Sequence, residues 1–152
     1  MRATITNTGS TMRHKIYGFT LIEILIVVAI LGVLTAIALP AYNNSVIRSA
    51  RAEAKNEIMR VASELERYFS SNNTYVTSAD PLVDDTAGTT LDTVNGFYEL
   101  SVAAGGTGIA TSFIATATAQ GDQLADTCAT YTITNTGVRG ATGDTVEECW
   151  TR

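Results

Sequence analysis

The sequence predicts an α+β fold: one long N-terminal helix whose second half packs on a small antiparallel β-sheet, closed by a C-terminal disulfide-bounded loop. Three observations carry this. Residues 19–39 form an apolar run with a single charge, Glu23. Residues 47–68 repeat apolar side chains at helical spacing. Beyond residue 97, short alternating segments rich in β-branched residues are separated by glycine-bearing turns, and the only two cysteines bracket the last of these segments.

The apolar run comes first. Its 21 residues, at about 1.5 Å each, match a bilayer core of about 30 Å. Arg2, Arg13 and Lys15 precede it without an acid, which keeps the N-terminus cytoplasmic. An unpaired acid at the depth of Glu23 costs about 2.5–3.5 kcal/mol on insertion scales, so it needs a partner. Ala36-Ile37-Ala38 has the look of a signal-peptidase site. However, the run is long for a signal peptide, carries an acid and continues into a helical pattern.

Gly18-Phe19-Thr20-Leu21-Ile22-Glu23 ahead of an apolar helix resembles the class III signal of type IV pilins and their secretion-system relatives. The resemblance implies that a prepilin peptidase cuts between Gly18 and Phe19 and methylates the new amino group of Phe19. It also implies that Glu23 pairs with the amino terminus of a neighbouring subunit as the helix docks into a filament. Residues 1–18 are then a leader, 19–39 a transmembrane and assembly helix, and 40–152 an amphipathic helix with a globular head. Met12 would open a complete shorter leader.

Gly32 and Pro40 are weak points in the helix. Glycine costs about 1 kcal/mol in a helix interior, and proline removes one hydrogen bond and crowds the preceding turn. The resemblance implies melting of Gly32–Pro40 on assembly; a simple kink at Pro40 is the alternative. After Pro40, Ile47, Ala50, Ala54, Ile58, Val61, Leu65 and Tyr68 form one face. Arg48, Arg51, Glu53, Lys55, Glu57, Arg60, Glu64 and Arg67 lie off that stripe, where some can form i,i+4 pairs. One helix is expected from about Thr20 to Ser70.

Residues 71–96 read as a connecting loop with a short element near Leu91–Val94. Asp84, Asp85 and Asp92 offer oxygen ligands but lack a calcium-loop pattern, so the acidic loop reads as solvated. Strands follow at Phe97–Val102, Ser112–Ala119 and Thr130–Thr134. Asn135–Trp150 reads as loop. Cys128 and Cys149 are the only pair and lie on the exported side, where they should bond. Trp150 is expected to pack on the domain edge.

Composition restricts function. The one histidine, His14, lies in the leader, which removes histidine-based catalysis from a mature chain. Two thiols without histidine make a poor zinc set, so neither enzyme activity nor a metal or cofactor is implied. After Ser70 only Arg139 and Arg152 face ten acids, a net charge of −8. Such a surface repels nucleic acid.

Glu66-Arg67-Tyr68-Phe69, Asn73-Thr74-Tyr75, Phe97-Tyr98, Cys128-Ala129-Thr130-Tyr131-Thr132-Ile133, Gly137 and Cys149-Trp150 are similar to PilE-type minor pilins. That group includes the ComP-like DNA-uptake pilins. The resemblance implies a minor subunit of a type IV pilus, made as a single-pass inner-membrane precursor and assembled with other pilins by the inner-membrane machinery. Twitching motility, adhesion and assembly priming are the functions such subunits serve. A DNA-uptake receptor, a major pilin and a type II secretion pseudopilin are the alternatives. DNA binding is disfavoured by the acidic head.

Overall fold

A computed structural model of the chain describes residues 18–151. Arg2, Met12, Arg13, His14, Lys15 and Arg152 lie outside the described residues. The chain divides into two compact units, Met1–Leu39 and Pro40–Arg152.

In the first unit, every residue from Gly18 to Leu39 is exposed. Helix α1 (Leu21–Asn72) starts here. By length and composition it can cross a membrane. It remains helical at Gly32 and Pro40.

The second unit holds the core. Ala50, Ala54, Ile58, Val61 and Leu65 of α1 are buried, as the three- and four-residue spacing requires. They share one cluster with Tyr98, Leu100, Val102, Phe113, Ala115, Ala117, Ala119, Tyr131 and Ile133. Alanines fill much of this interface, at 50 and 54 on the helix and at 115, 117 and 119 on a strand, and all five are buried. Asn73 then adopts a left-handed φ of 56°, and its N–H donates to the Phe69 carbonyl at 2.8 Å. That is an αL stop, which asparagine tolerates.

The sheet has the order β1-β2-β3-β4-β5, antiparallel throughout. Its strands are β1 (Leu91–Asp92), β2 (Tyr98–Ala104), β3 (Phe113–Ala119), β4 (Thr130–Thr134) and β5 (Arg139–Thr142). Along β3, Phe113, Ala115, Ala117 and Ala119 face the core, while Ile114, Thr116 and Thr118 alternate with them half-buried on the other face, the period of two a half-covered sheet demands. The strand expected over Phe97–Val102 runs on to Ala104, because Ala103 and Ala104 still pair with Ile114 and Phe113.

The loop expected over Asn135–Trp150 is corrected. It contains β5 and a short helix, α2 (Val146–Thr151). Gly140 of β5 faces Thr132, and a Cβ at 140 would sit 2.4 Å from Thr132 Oγ1. The strand is therefore built on a glycine, not on β-branched residues, and its four residues are too few to show alternation. Residues 73–97 are also more ordered than a plain loop. Tyr75 stacks on Phe69 at 4.5 Å and meets Phe113 edge-on at 4.9 Å. The Ser78 hydroxyl donates to the Asp84 carbonyl at 2.5 Å and accepts from the Asp80 N–H at 3.1 Å.

Candidate functional site

The start of α1 is a capping box. The Glu23 N–H donates to Thr20 Oγ1 at 3.2 Å, and the Thr20 N–H donates to Glu23 Oε2 at 3.4 Å. Thr-Leu-Ile-Glu is the T-x-x-E spelling of this motif, in which each side chain satisfies an orphan backbone donor of the other residue. The carboxylate thus lies over the positive end of the helix dipole. Phe19, one residue ahead of the cap, is 79% exposed. Nothing lies within 4 Å of a Cβ added at Gly18 or at Gly32, so packing among the described residues requires glycine at neither position. Pro40 lacks an N–H, so the Ala36 carbonyl loses its helical donor. The Thr35 hydroxyl adds a bond to the Leu31 carbonyl at 2.7 Å.

The head carries a second constellation that sequence reasoning missed. Arg51 was expected on the solvent side of the stripe. Instead it forms a two-pronged ion pair with Asp126: Nε to Oδ2 at 2.8 Å, and Nη2 to Oδ1. Only 14% of the Arg51 side chain and 2% of Asp126 are exposed. Nη2 also donates to Thr127 Oγ1 at 3.2 Å. Gln123 Nε2 donates to Asp126 Oδ2 at 2.8 Å, and the Tyr98 hydroxyl donates to the Cys128 carbonyl at 3.1 Å. The hydrogen bond to Asp126 outweighs burial and raises the Arg51 pKa. Burial pushes the Asp126 carboxyl up, but Arg51, the Cys128 N–H and Gln123 together hold it below its ordinary value. The planar guanidinium fork suits this geometry; a lysine would not.

Other charges off the stripe also leave solvent for tertiary ties. Glu53 accepts from Asn95, and Lys55 Nζ donates to the Trp150 carbonyl at 3.4 Å. Arg60 keeps the expected local pairs, with Glu57 and Glu64 both at 2.7 Å. The acidic loop residues are not brought together as ligands. Asp84 accepts from the Thr86 N–H and the Thr89 hydroxyl, and Asp85 accepts from the Tyr68 hydroxyl.

Cys128 and Cys149 are bonded and buried, with Cα atoms 5.7 Å apart. The bond ties α2 to a residue two positions before β4. Trp150 packs on the edge beside it. Its Nε1 donates to the Gly140 carbonyl at 2.9 Å, its ring meets Tyr131 edge-on at 5.7 Å, and the Arg139 guanidinium lies 4.7 Å from the ring centroid.

Two family models match this chain. One, described as type IV minor pilin ComP, DNA uptake sequence receptor, covers residues 40–149; the other, the prokaryotic N-terminal methylation motif, covers residues 13–39. The chain belongs to the type IV pilin family. The pilin is similar to the fimbrial protein EcpC of Eikenella corrodens, 42% identical over 98 residues, covering 62% of this chain and 60% of EcpC. A fimbrial protein of Dichelobacter nodosus is 36% identical over 94 residues, 59% of either chain. The type IV major pilin protein PilA of Myxococcus xanthus is 43% identical over 58 residues, 38% of this chain and 26% of PilA. The pilin thus spans 60% or less of the length of these relatives. A solved type IV pilin from Shewanella oneidensis aligns with a TM-score of 0.45 and 24% identity over 61% of this chain and 89% of that one.

Proposed function

We propose that this pilin is a minor subunit of an extracellular type IV pilus. It is made as a single-pass inner-membrane precursor with a cytoplasmic N-terminus. Prepilin peptidase cuts it between Gly18 and Phe19 and methylates the Phe19 amine. The assembly machinery then packs it helix-to-helix with other pilins. The observation that carries this reading is the run from Phe19 to Leu39: exposed throughout, apolar, and charged only at Glu23, four residues after the amine that cleavage would create. An apolar helix that no other described residue covers needs lipid first and neighbouring helices later. Glycine at 32, unexplained by internal packing, suits close helix approach. Gly32–Pro40 is the segment that melts on assembly.

The minor role is favoured by extent of match. The minor-pilin model spans residues 40–149, whereas the major pilins PilA of Myxococcus xanthus and FimA of Dichelobacter nodosus cover 38% and 24% of the chain. The description of that model also raises a DNA-receptor reading. Arg139 on Trp150 is the nearest approach to a stacking site, but the ten acids of the head oppose it. Retention of DNA by the full chain at low salt, weakening steeply as salt rises, would restore that reading.

The test is intact mass and N-terminal mapping of protein sheared from cell surfaces. A start at N-methyl-Phe19 in a small share of the filament supports the proposal. A dominant share makes this the major subunit, and absence from filaments removes the reading.

A further inference from the structure

The turn between β1 and β2 carries Asn95-Gly96, exposed to solvent, with Gly96 at φ 67°. In an open chain this dipeptide is the most labile of amides, because glycine places no side chain in the way of ring closure. Here the turn is clamped. The Asn95 N–H and Nδ2 donate to the two oxygens of Glu53 on α1, at 2.9 and 2.8 Å. The Gly96 N–H, the group that must attack, donates to the Thr93 carbonyl at 2.8 Å.

We propose that Asn95 is a latent deamidation site, held closed by Glu53 and opened only when the turn leaves α1. In the reaction the Gly96 nitrogen forms a bond to Asn95 Cγ and gives up its proton. The Cγ–Nδ2 bond breaks and ammonia leaves, giving a succinimide. Water opens the ring at either carbonyl to aspartate or isoaspartate. The net change is amide plus water to acid plus ammonia, without oxidation or reduction. The clamp fixes the carboxamide on Glu53 while the nucleophile is engaged elsewhere, so closure requires both ties to break. The product cannot re-form the clamp. Where Nδ2–H met the Glu53 carboxylate, a second carboxylate would stand about 3 Å away, and like charges repel at that range. Deamidation therefore records time spent with the turn open, and it makes the opening permanent.

The experiment incubates the full chain in detergent micelles under mildly alkaline conditions and follows the amide-to-acid mass gain in the peptide containing Asn95. Circular dichroism verifies folding, and Asn95→Ala marks the background. The folded wild type should react much more slowly than the same chain in urea. Glu53→Ala, which removes both bonds, should react at least about tenfold faster than wild type, the scale of a single lost hydrogen bond to a charged group. Glu53→Gln, which can accept only one of the two donors, should fall between. Equal rates for folded and urea-denatured wild type overturn the proposal, whatever the variants do. So does a wild-type rate in a folded Glu53→Ala or Glu53→Gln chain.

Discussion

Tyr131 shows how closely the head is packed and where that packing is imperfect. Its ring is buried between Tyr98 and Trp150, each with centroids 5.7 Å away. Its hydroxyl is buried with no hydrogen-bond partner among the described residues. Burial raises its pKa strongly. A buried orphan hydroxyl has paid its desolvation cost without return, so Tyr131→Phe should leave Tm unchanged or raise it, measured by thermal unfolding. Asp126 is the opposite case. Removing one partner of a buried ion pair costs about 3–5 kcal/mol, and Asp126→Asn should fall near the low end because Arg51 keeps some solvent contact. The sign with pH follows. The folded pKa of Asp126 lies below its unfolded value of about 3.9. Its contribution is thus complete above that value and is lost as pH falls through the folded pKa. An acid titration of stability should be flatter in Asp126→Asn than in wild type; equal slopes would place the acid sensitivity elsewhere. None of this was legible beforehand. Arg51 and Asp126 are 75 residues apart, and no local pattern marks an arginine one position from a buried alanine as anything but a solvated charge.

At the scale of elements, legibility followed period and length. The α1 stripe, the alternation in β2, β3 and β4 and the cysteine pair could be read because each repeats over several residues or has one partner to choose. β5 and α2 could not: four residues built on Gly140 show no alternation, and six residues show no helical stripe. The start of α2 was nevertheless signposted. Thr145-Val146-Glu147-Glu148 has the same T-x-x-E spelling as Thr20–Glu23, and the Glu148 N–H donates to Thr145 Oγ1 at 3.2 Å. A capping signature found at both helix starts is a local signal that the hydrophobic pattern ignores. Because α2 is so short, it depends on the disulfide that anchors it. A closed loop of this size contributes about 3 kcal/mol, so reduction should lower the Tm of the head by roughly 10–20 °C. Thr145→Ala should cost only about 1 kcal/mol. Equal effects would mean that the cap, not the covalent tie, holds α2 in place.

At the scale of the whole molecule, the two units answer different solvents. The unit Pro40–Arg152 has an apolar core of its own. The apolar side chains of residues 19–39 are all exposed among the described residues. Glu23 is where these demands meet, and the capping box gives it two possible duties. It can serve its own helix by accepting from the Thr20 N–H, or serve a neighbour by offering a full negative charge in an apolar setting. Substitutions separate them. Glutamine can fill the same place in a capping box, so Glu23→Gln keeps the local geometry and removes the charge. Thr20→Ala removes the reciprocal hydroxyl and keeps the charge, at about 1 kcal/mol of helix stability. If the charge drives assembly, Glu23→Gln should accumulate in the membrane, folded and disulfide-bonded, but be missing from sheared filaments. Thr20→Ala should still be found there. The reverse pattern, with Glu23→Gln incorporated and Thr20→Ala excluded, would make the carboxylate a helix cap and nothing more.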